Sequence, residues 1–298
     1  MYKSLNPASL GVSGRQSELI ELALTYGFRG LDLDGGEIIK RAIQQGVDEA
    51  AKYIRSARVK PGGWVRPVDL ALADEAFAKQ LERLHGWAEA AKQIGFTYCT
   101  IDINPVSDDL PYHENFERHR ERLSSTANVL GKSGIRLGLG LKPAASHREG
   151  GTYQFIHQAE ELLTLLRNTA SENVGLALDT WSWKVGGGGS DQLAELTAEQ
   201  IVSVTIADVS LDADMKRITD AQRLLPTEDT IEEHASLLRS LAQRKFNGPV
   251  SLKPHPSHLA KLTRDASVDS CAKILEQIWS EAGLNKAGRV AAPPVTAG

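Results

Sequence analysis

Residues 135–179 read IRLGLGLKPAASHREGGTYQFIHQAEELLTLLRNTASENVGLALD, and this stretch predicts a strand, a helix and a second strand. Its two ends, 135–142 and 174–179, are short apolar runs, while 154–169 has the spacing of an amphipathic helix. A helix of this length is the usual crossover between two parallel strands, which cannot be joined by a tight turn. The stretch therefore indicates a parallel sheet covered by helices.

The same alternation extends in both directions through the chain. Strands are predicted at 10–12, 30–34, 59–65, 98–103, 135–142, 174–179, 201–207 and 250–253. Helices are predicted at 16–26, 36–56, 73–94, 114–133, 154–169, 191–199, 230–244 and 265–282. Eight strands alternating with eight helices predict an α/β fold, the (β/α)8 TIM barrel. We expect one barrel over 1–284 and a disordered tail over 285–298, which is rich in Ala, Pro and Val.

The composition and charge argue against nucleic-acid and membrane partners. The 298 residues are 41% hydrophobic and 24% charged, with a net charge of −4 and no basic stripe suited to nucleic acid. No apolar run approaches the ~20 residues that span a bilayer, and the N-terminus lacks the apolar stretch of a secretory signal. The two cysteines, Cys99 and Cys271, lie far apart. These features predict a cytoplasmic protein without nucleic-acid or membrane partners, and they leave the oligomeric state open.

The period-two geometry of the strands predicts which side chains lie inside the barrel. Successive side chains point to opposite faces, so Leu137 and Leu139 face the helices while Lys142 faces the barrel interior. The same rule points Asp32, Asp34, Asp102, Asp179, Ser203, Thr205 and Lys253 inward, and Val202, Val204 and Ile206 outward. Barrel interiors are ordinarily packed with branched apolar residues, and barrel enzymes place their chemistry at the C-terminal strand ends. We therefore predict a polar pocket there, centred on Lys142, Asp179 and Lys253. The alternative is that these charges only neutralise one another in a solvated mouth.

Four fragments resemble successive signatures of the xylose isomerase-like barrel superfamily. They are GLALDTWSW at 175–183, IVSVTIADV at 201–209, LLPTED at 224–229 and VSLKPHP at 250–256. The opening segment 14–34, GRQSELIELALTYGFRGLDLD, is also similar to the start of that barrel. The superfamily includes sugar-phosphate isomerases and epimerases and, more distantly, endonuclease IV. The resemblance implies a TIM barrel up to about residue 284 and a carbohydrate-like ligand.

The resemblance also implies a set of metal ligands, most of which are substituted here. Members of the superfamily usually bind a divalent metal through a Glu, an Asp, a His and a second Glu on strands five to eight. The matching residues are Gly140, Asp179, Thr205 and Lys253. One carboxylate beside an ammonium is a poor ligand set for a divalent ion, so we expect no metal and no other cofactor. The two Glu residues often serve as the acid and base of the epimerases, so that mechanism does not transfer.

Three more positions match the family pattern and are expected to orient a substrate. They are Asp208, Arg223 and Glu228.

The remaining candidates come from their residue types and positions. Asp32, Asp34, Asp102 and Asp179 could accept hydrogen bonds from sugar hydroxyls, or could cap strand ends and form ion pairs. Trp181 could stack on a sugar ring, or could pack under a helix. His113, in the loop after the fourth strand, could shuttle a proton. His147, in the loop after the fifth strand, could reach a substrate, and so could His255, after the eighth. For each histidine the alternative is a surface position.

Three functions remain open from the sequence. The first is a metal-independent isomerase or epimerase of a sugar, sugar phosphate or keto-sugar. The second is a non-catalytic barrel that binds carbohydrate, which the loss of metal ligands favours. The third is a Schiff-base lyase or aldolase that uses Lys142 or Lys253, although neighbouring carboxylates would keep both lysines charged.

Overall fold

The computed structural model describes residues 1–210 and 212–290. Its strands are β1 (Tyr2–Leu5), β2 (Gly30–Leu31), β3 (Lys60–Pro61), β4 (Trp64–Val65), β5 (Tyr98–Asp102), β6 (Val106–Ser107), β7 (Arg136–Gly140), β8 (Tyr153–Gln154), β9 (Val174–Asp179), β10 (Ile201–Ile206) and β11 (Pro249–Leu252). Its helices are α1 (Gln16–Thr25), α2 (Gly35–Gln45), α3 (Val47–Ala57), α4 (Asp74–Ile94), α5 (Tyr112–Lys132), α6 (Ala159–Asn168), α7 (Thr180–Val185), α8 (Ser190–Ala194), α9 (Ile231–Gln243) and α10 (Arg264–Glu281).

Nine strands form one parallel sheet that closes into the predicted (β/α)8 TIM barrel. Their order is β3-β2-β1-β11-β10-β9-β7-β5-β4. The two outermost strands, β3 and β4, belong to the single segment 60–65, so the two edges of the sheet meet within one stretch of chain. Outside the barrel, β6 and β8 form a short antiparallel ribbon beside the C-terminal strand ends. The predicted fold class is confirmed.

Two glycines interrupt the third barrel strand because larger residues would collide with the barrel interior. A Cβ at Gly62 would lie 2.0 Å from Asp32 Oδ1, and a Cβ at Gly63 would lie 2.3 Å from the ring of Tyr98. The break between β3 and β4 thus gives room to one polar and one aromatic side chain. We call this segment, residues 60–65, the seam.

The prediction of a first strand at 10–12 was wrong. Residues Ala8–Leu10 form a 3-10 turn that ends at Gly11, whose φ is 68°. The first strand is β1, which pairs with β11 on one side and β2 on the other. Leu10 and Val12 are buried, so their apolar character reflects packing of a loop against the barrel.

The alternation predicted for the seventh strand fails at its start. The register between β10 and β9 shifts between Ile201 and Ser203, which is a bulge at Val202. A Cβ added to Gly138 would lie 3.2 Å from Val202 Cβ, so Val202 faces the barrel interior rather than the helices. The bulge leaves Ser203 and Thr205 on the cavity side, as predicted.

The outer helices follow most of the amphipathic patterns, but the predicted helix 191–199 is reduced to α8, and α6 begins at Ala159 rather than at 154. The predicted helix 36–56 is split into α2 and α3 at Gly46, whose φ of 97° disfavours any residue with a Cβ. Asp34 caps the N-terminus of α2 by accepting a hydrogen bond from the Glu37 N–H at 3.0 Å. None of the helices within residues 1–210 and 212–290 is long and apolar enough to cross a membrane.

The described part of the C-terminal segment folds back on the barrel floor. Leu284 and Val290 form an isolated antiparallel bridge, and the Trp279 indole N–H donates to the Asn285 carbonyl at 3.1 Å. The rest of the tail predicted at 285–298, residues 291–298, lies outside the described residues.

Candidate functional site

A cavity of about 750 Å³ occupies the C-terminal ends of the barrel strands. Its wall includes Lys142, Asp179 and Lys253, the three residues predicted to form the polar centre. Asp34, Asp102 and Arg223, three of the eight residues predicted to bind a substrate, also line it. The period-two rule places Lys142, Asp179 and Lys253 together because each ends or follows a parallel strand, and parallel strands end on the same side of the barrel.

Asp179, the last residue of β9, is the most highly bonded side chain of this cavity. Its carboxylate accepts two hydrogen bonds from Arg223 Nη1, at 2.9 and 2.8 Å, and one from Thr205 Oγ1 at 3.0 Å. The Ser182 N–H donates to it at 2.9 Å, and Lys253 Nζ lies 3.3 Å from Oδ2. Burial alone would raise the pKa of Asp179, but the charges of Arg223 and Lys253 outweigh burial and hold it well below its usual value. Asp179 therefore remains a carboxylate.

Arg223 connects Asp179 to a second acidic residue. Its guanidinium is buried, stacks on the Trp181 ring at 4.2 Å, and donates through Nε to Asp220 Oδ1 at 2.9 Å. The other oxygen of Asp220 binds His147 Nε2. The Ala145 N–H donates to the Ile218 carbonyl at 2.9 Å, which fixes the loop after β7 against the loop after β10. His147 thus faces the cavity with its ring oriented by a carboxylate.

Asp32 is a second carboxylate of the cavity, in a different environment from Asp179. Burial raises its pKa to about 6, against the opposing effects of the Ser4 hydroxyl, 3.2 Å away, and the charge of Lys253. A carboxyl with a pKa near 6 exchanges protons readily near neutral pH. Asp32 and Asp179 therefore occupy opposite roles, one able to carry a proton and one fixed as an anion.

Lys142 and Asp102 lie on the neighbouring wall, formed by β5 and β7. Lys142 makes no ion pair with a carboxylate of the described residues. The Asp102 carboxylate is exposed and lies where a side chain at position 140 would begin, since a Cβ at Gly140 would be 2.1 Å from Asp102 Oδ1. An ammonium and a carboxylate are thus both free to contact a bound molecule.

The side chains around Asp179 do not fit a divalent metal. The carboxylate oxygens of Asp179 are already bound by Arg223 and Lys253, two cations that would repel a third. Thr205 donates its hydroxyl to Asp179, and Gly140 supplies no ligand atom. Within residues 1–210 and 212–290 no three His, Cys, Asp or Glu side chains are placed to hold a metal ion together. Lys253 and Arg223 supply the positive charge at this point of the barrel.

Two of the predicted substrate-binding residues lie behind the cavity wall. Trp181 is fully buried in a small cluster with Ala144 and Ile218, so it supports Arg223 instead of presenting a face to a ligand. Asp208 binds His234 and accepts the hydroxyl of Thr230. These bonds attach the loop after β10 to the start of α9, which explains a buried carboxylate outside the cavity.

Three other predicted residues also lie outside the cavity. Glu228 is exposed in the loop before α9, and His113 is exposed on the first turn of α5. The His255 ring bonds the hydroxyl of Ser257 at 2.7 Å, and its backbone N–H donates to the Arg223 carbonyl at 2.9 Å. His255 therefore positions the Arg223 backbone from behind. Strand periodicity gives no information on such loop residues.

Asp220 had no predicted role, and Asp32 and His147 were predicted only as possible substrate contacts. His147 and Asp220 are 73 positions apart in two loops, and only the fold brings them together. The one local signal was the spacing of Asp220 and Arg223, which pair as i and i+3. Asp32 was placed inside the barrel by its alternation, but the unusual environment of its carboxyl depends on Ser4 and on the gap at Gly62.

Comparisons with known proteins agree with this architecture. Residues 20–274 match the sequence profile of a family described as the xylose isomerase-like TIM barrel. A xylose isomerase domain protein from Alicyclobacillus acidocaldarius subsp. acidocaldarius superposes with a TM-score of 0.82 at 22% identity, covering 95% of this chain and 99% of that one. The IOLI protein with a bound zinc atom gives 0.73 at 18% identity, covering 95% and 98%. A D-psicose 3-epimerase from Clostridium cellulolyticum, solved with D-tagatose, gives 0.68 at 12% identity, covering 95% and 99%. No curated protein matches the chain. At these identities the structural likeness shows a shared fold alone.

Proposed function

The chain belongs to the family of xylose isomerase-like TIM barrels, and from this premise we propose that it is an isomerase or epimerase of a sugar, sugar phosphate or keto-sugar that works without a divalent metal. Epimerases are among the solved proteins that share the fold. The observation that carries the proposal is the Asp179 centre, where Lys253 and Arg223 place positive charge at the floor of a polar cavity. A carbonyl oxygen bound there would meet a cation without any metal.

The proposed reaction moves a proton on the carbon next to a carbonyl group. A base takes that proton, the C–H electron pair forms a carbon–carbon double bond, and the carbonyl oxygen becomes an enolate oxygen. The Lys253 ammonium stabilises this oxygen by donating a hydrogen bond, and its ion pair with Asp179 holds the ammonium in position. Return of a proton to the other face of the same carbon gives the epimer. Return of a proton to the former carbonyl carbon gives the isomer, once the enolate oxygen has taken a proton and the hydroxyl on the first carbon has lost its proton to become the new carbonyl. The sequence is redox-neutral, so no oxidant or reductant is needed.

Two groups of the cavity are suited to the proton transfers. Asp32, with its pKa of about 6, follows β2, while His147 follows β7 on a different side of the barrel. Groups on two sides of one carbon are what epimerisation requires, because the proton leaves one face and returns to the other. We assign Asp32 and His147 these roles, and Asp220 orients the His147 ring.

The experiment that tests the proposal measures deuterium uptake from D2O by D-fructose and D-tagatose, with a chelator present. We expect uptake at the carbon next to the carbonyl group, detected by proton NMR. Lys253→Met should slow it by at least about 100-fold, the scale of a lost oxyanion donor. Lys261→Met, at an exposed lysine outside the cavity, is the matched control.

Two results would contradict the proposal. Uptake that starts only after Mn²⁺ is added would return the protein to a metal-dependent mechanism. Binding of keto-sugars without any uptake would favour the non-catalytic barrel.

We further propose that the protein acts in the cytoplasm. Cys99 and Cys271 are both free and buried, and burial raises the pKa of the Cys271 thiol to about 12. Thiols in this state are unreactive and need no oxidising compartment.

A further inference from the structure

A second cavity, of about 340 Å³, opens beside the main one. Asp102 and Lys142 line both cavities, so the two cavities are neighbours at the mouth of the barrel. The far wall of this side cavity is formed by α5, through Asn115, Arg118 and His119. The proposed reaction takes place in the main cavity, and the side cavity has no role in it.

His119 is the most informative residue of the side cavity. It is 5% exposed, and its ring packs against Phe155 with 4.8 Å between ring centroids. Its Nδ1 lies 2.8 Å from the Asn115 carbonyl, which can only accept, so Nδ1 carries the proton. Burial lowers the pKa of His119 to about 4, against the favourable effect of that carbonyl. The ring is therefore neutral, and Nε2 holds a free lone pair.

That lone pair has no donor in the protein. Among residues 1–210 and 212–290 no group donates a hydrogen bond to His119 Nε2. The side-chain atoms that have no hydrogen-bond partner and are also inaccessible to solvent do not include Nε2, so this atom is accessible. It is consequently open to the cavity that His119 lines. A buried acceptor of this kind gains from a ligand that donates a hydrogen bond, such as a hydroxyl group.

The charges of the side cavity select against an anionic group. Three cationic side chains line it, Arg66, Arg118 and Lys142, against four carboxylates, Asp69, Asp102, Asp108 and Asp109. Arg118 is already paired with Asp109 at 2.8 Å and with the Asn115 amide oxygen at 2.9 Å. A phosphate would meet the unpaired carboxylates, whereas a hydroxyl can donate to His119 or Asp102 and accept from Lys142.

We propose that the side cavity binds a second hydroxylated unit of the substrate, so that the preferred substrate is a keto-sugar carrying an uncharged glycosyl or polyol substituent. This rests on the proposed function of the main cavity, where the keto-sugar end would react. His119 Nε2 and Asp102 accept hydroxyl protons, and Lys142 lies between the two units.

The test compares the binding of two probes by calorimetric titration, so it does not depend on turnover. The probes are D-fructose and lactulose, a disaccharide whose reducing end is fructose. We expect wild-type protein to bind lactulose at least about tenfold more tightly, equivalent to about 1.4 kcal/mol. His119→Asn keeps a donor towards the Asn115 carbonyl but removes the atom at Nε2, and should bring the ratio of affinities towards one. His119→Gln, which keeps a polar group at the reach of Nε2, should retain part of the ratio.

Two further variants make the result decisive. Ala71→Phe, at an exposed position of the side cavity, should block it without altering the packing of His119, and should also abolish the preference for lactulose. His85→Asn, the same substitution at an exposed histidine of α4, should leave the ratio unchanged. Equal affinity for the two sugars in the wild type, or a preference that survives both His119→Asn and Ala71→Phe, would overturn the inference. A preference for lactulose without deuterium uptake would overturn the proposed function and leave the side cavity assignment standing.

Discussion

Replacing Arg223 with methionine should destabilise the fold more than any exposed ion-pair substitution. Arg223 is 7% exposed and bonds both Asp179 and Asp220, so its loss leaves the buried Asp179 carboxylate with Lys253 as its one cationic partner among the described residues. Removing one member of a buried ion pair costs about 3–5 kcal/mol. Loss of stacking on Trp181 adds about 0.5–1 kcal/mol, which methionine packing offsets in part. We expect a decrease of about 4 kcal/mol in the free energy of unfolding by urea at pH 7.

The sign of the pH dependence follows from the pKa of Asp179. Burial raises that pKa, but Arg223 and Lys253 together hold it below its usual value, so the ionised form stabilises the native state. This contribution is complete above about pH 4, the pKa of an unfolded Asp, and is lost as the pH falls towards the folded pKa. In Arg223→Met the effect of burial is opposed by the charge of Lys253 and the hydrogen bond from the Ser182 N–H, without Arg223, and the pKa of Asp179 rises. The difference between wild type and variant should therefore be largest at pH 7 and smaller in acid.

Two control variants test whether the loss of stability in Arg223→Met comes from the buried charges. Arg167→Met removes a surface partner of Glu160 and should cost at most about 1 kcal/mol. Asp179→Asn in the Arg223→Met background removes the buried negative charge that Arg223 no longer balances, so the double variant should be more stable than Arg223→Met alone. If the two substitutions were additive, or if Arg223→Met unfolded at the wild-type urea concentration, the Asp179 centre would not be the coupled buried network described above.

Gly62→Ala should lower the melting temperature, because the added Cβ would lie 2.0 Å from Asp32 Oδ1. Gly86→Ala, in the middle of α4 where the added Cβ meets no neighbouring side chain, should instead raise the free energy of unfolding by about 0.5–1 kcal/mol. Equal effects of the two substitutions would refute the steric explanation of the glycines in the seam. The rate of deuterium uptake should fall below about pH 6, as Asp32 gains its proton. Asp32→Asn should remove this decrease from the pH–rate profile. A decrease that persists in the variant would mean that another residue is the base. Elemental analysis of protein purified without chelator should give well under one equivalent of Mn, Zn or Mg. Lys253→Glu alone should not create Mn²⁺ binding in calorimetry, because Arg223 still pairs with the Asp179 carboxylate. Stoichiometric metal in the wild type or in this variant would show that the side chains around Asp179 do fit a divalent ion.

The alternation of short apolar runs and helices was sufficient to predict the barrel and the wall of the cavity. Lys142, Asp179 and Lys253 could be placed because each continues a strand whose side-chain direction has a period of two. The same rule failed at Val202, where a bulge shifts the register, and at β1, whose four residues give too short an alternation to detect.

Residues in loops could not be placed from the sequence for a physical reason. Strand periodicity governs neither the loops nor the short helix α7, so Asp208, Glu228 and Trp181 could be assigned only by residue type and sequence position. The structure shows Trp181 supporting Arg223 and Asp208 bonded to His234 of α9. The pairing of His147 with Asp220 depends on contacts between two loops, and no property of either segment alone indicates it.

The seam should open locally more easily than the central strands of the sheet. Two register pairs, Gly30↔Lys60 and Leu31↔Pro61, join β3 to β2, and two more, Trp64↔Cys99 and Val65↔Thr100, join β4 to β5. Five pairs join β5 to β7. Proline contributes no N–H at its position, and the two glycines between β3 and β4 have no side chains to pack. Amide protons along residues 60–65 should therefore exchange with solvent through local opening at lower free energy than those of β7 or β9. The seam is a weakly paired part of the barrel wall, as is β1, and transient opening of the seam should expose the Asp32 side of the cavity while the Asp179 side stays intact.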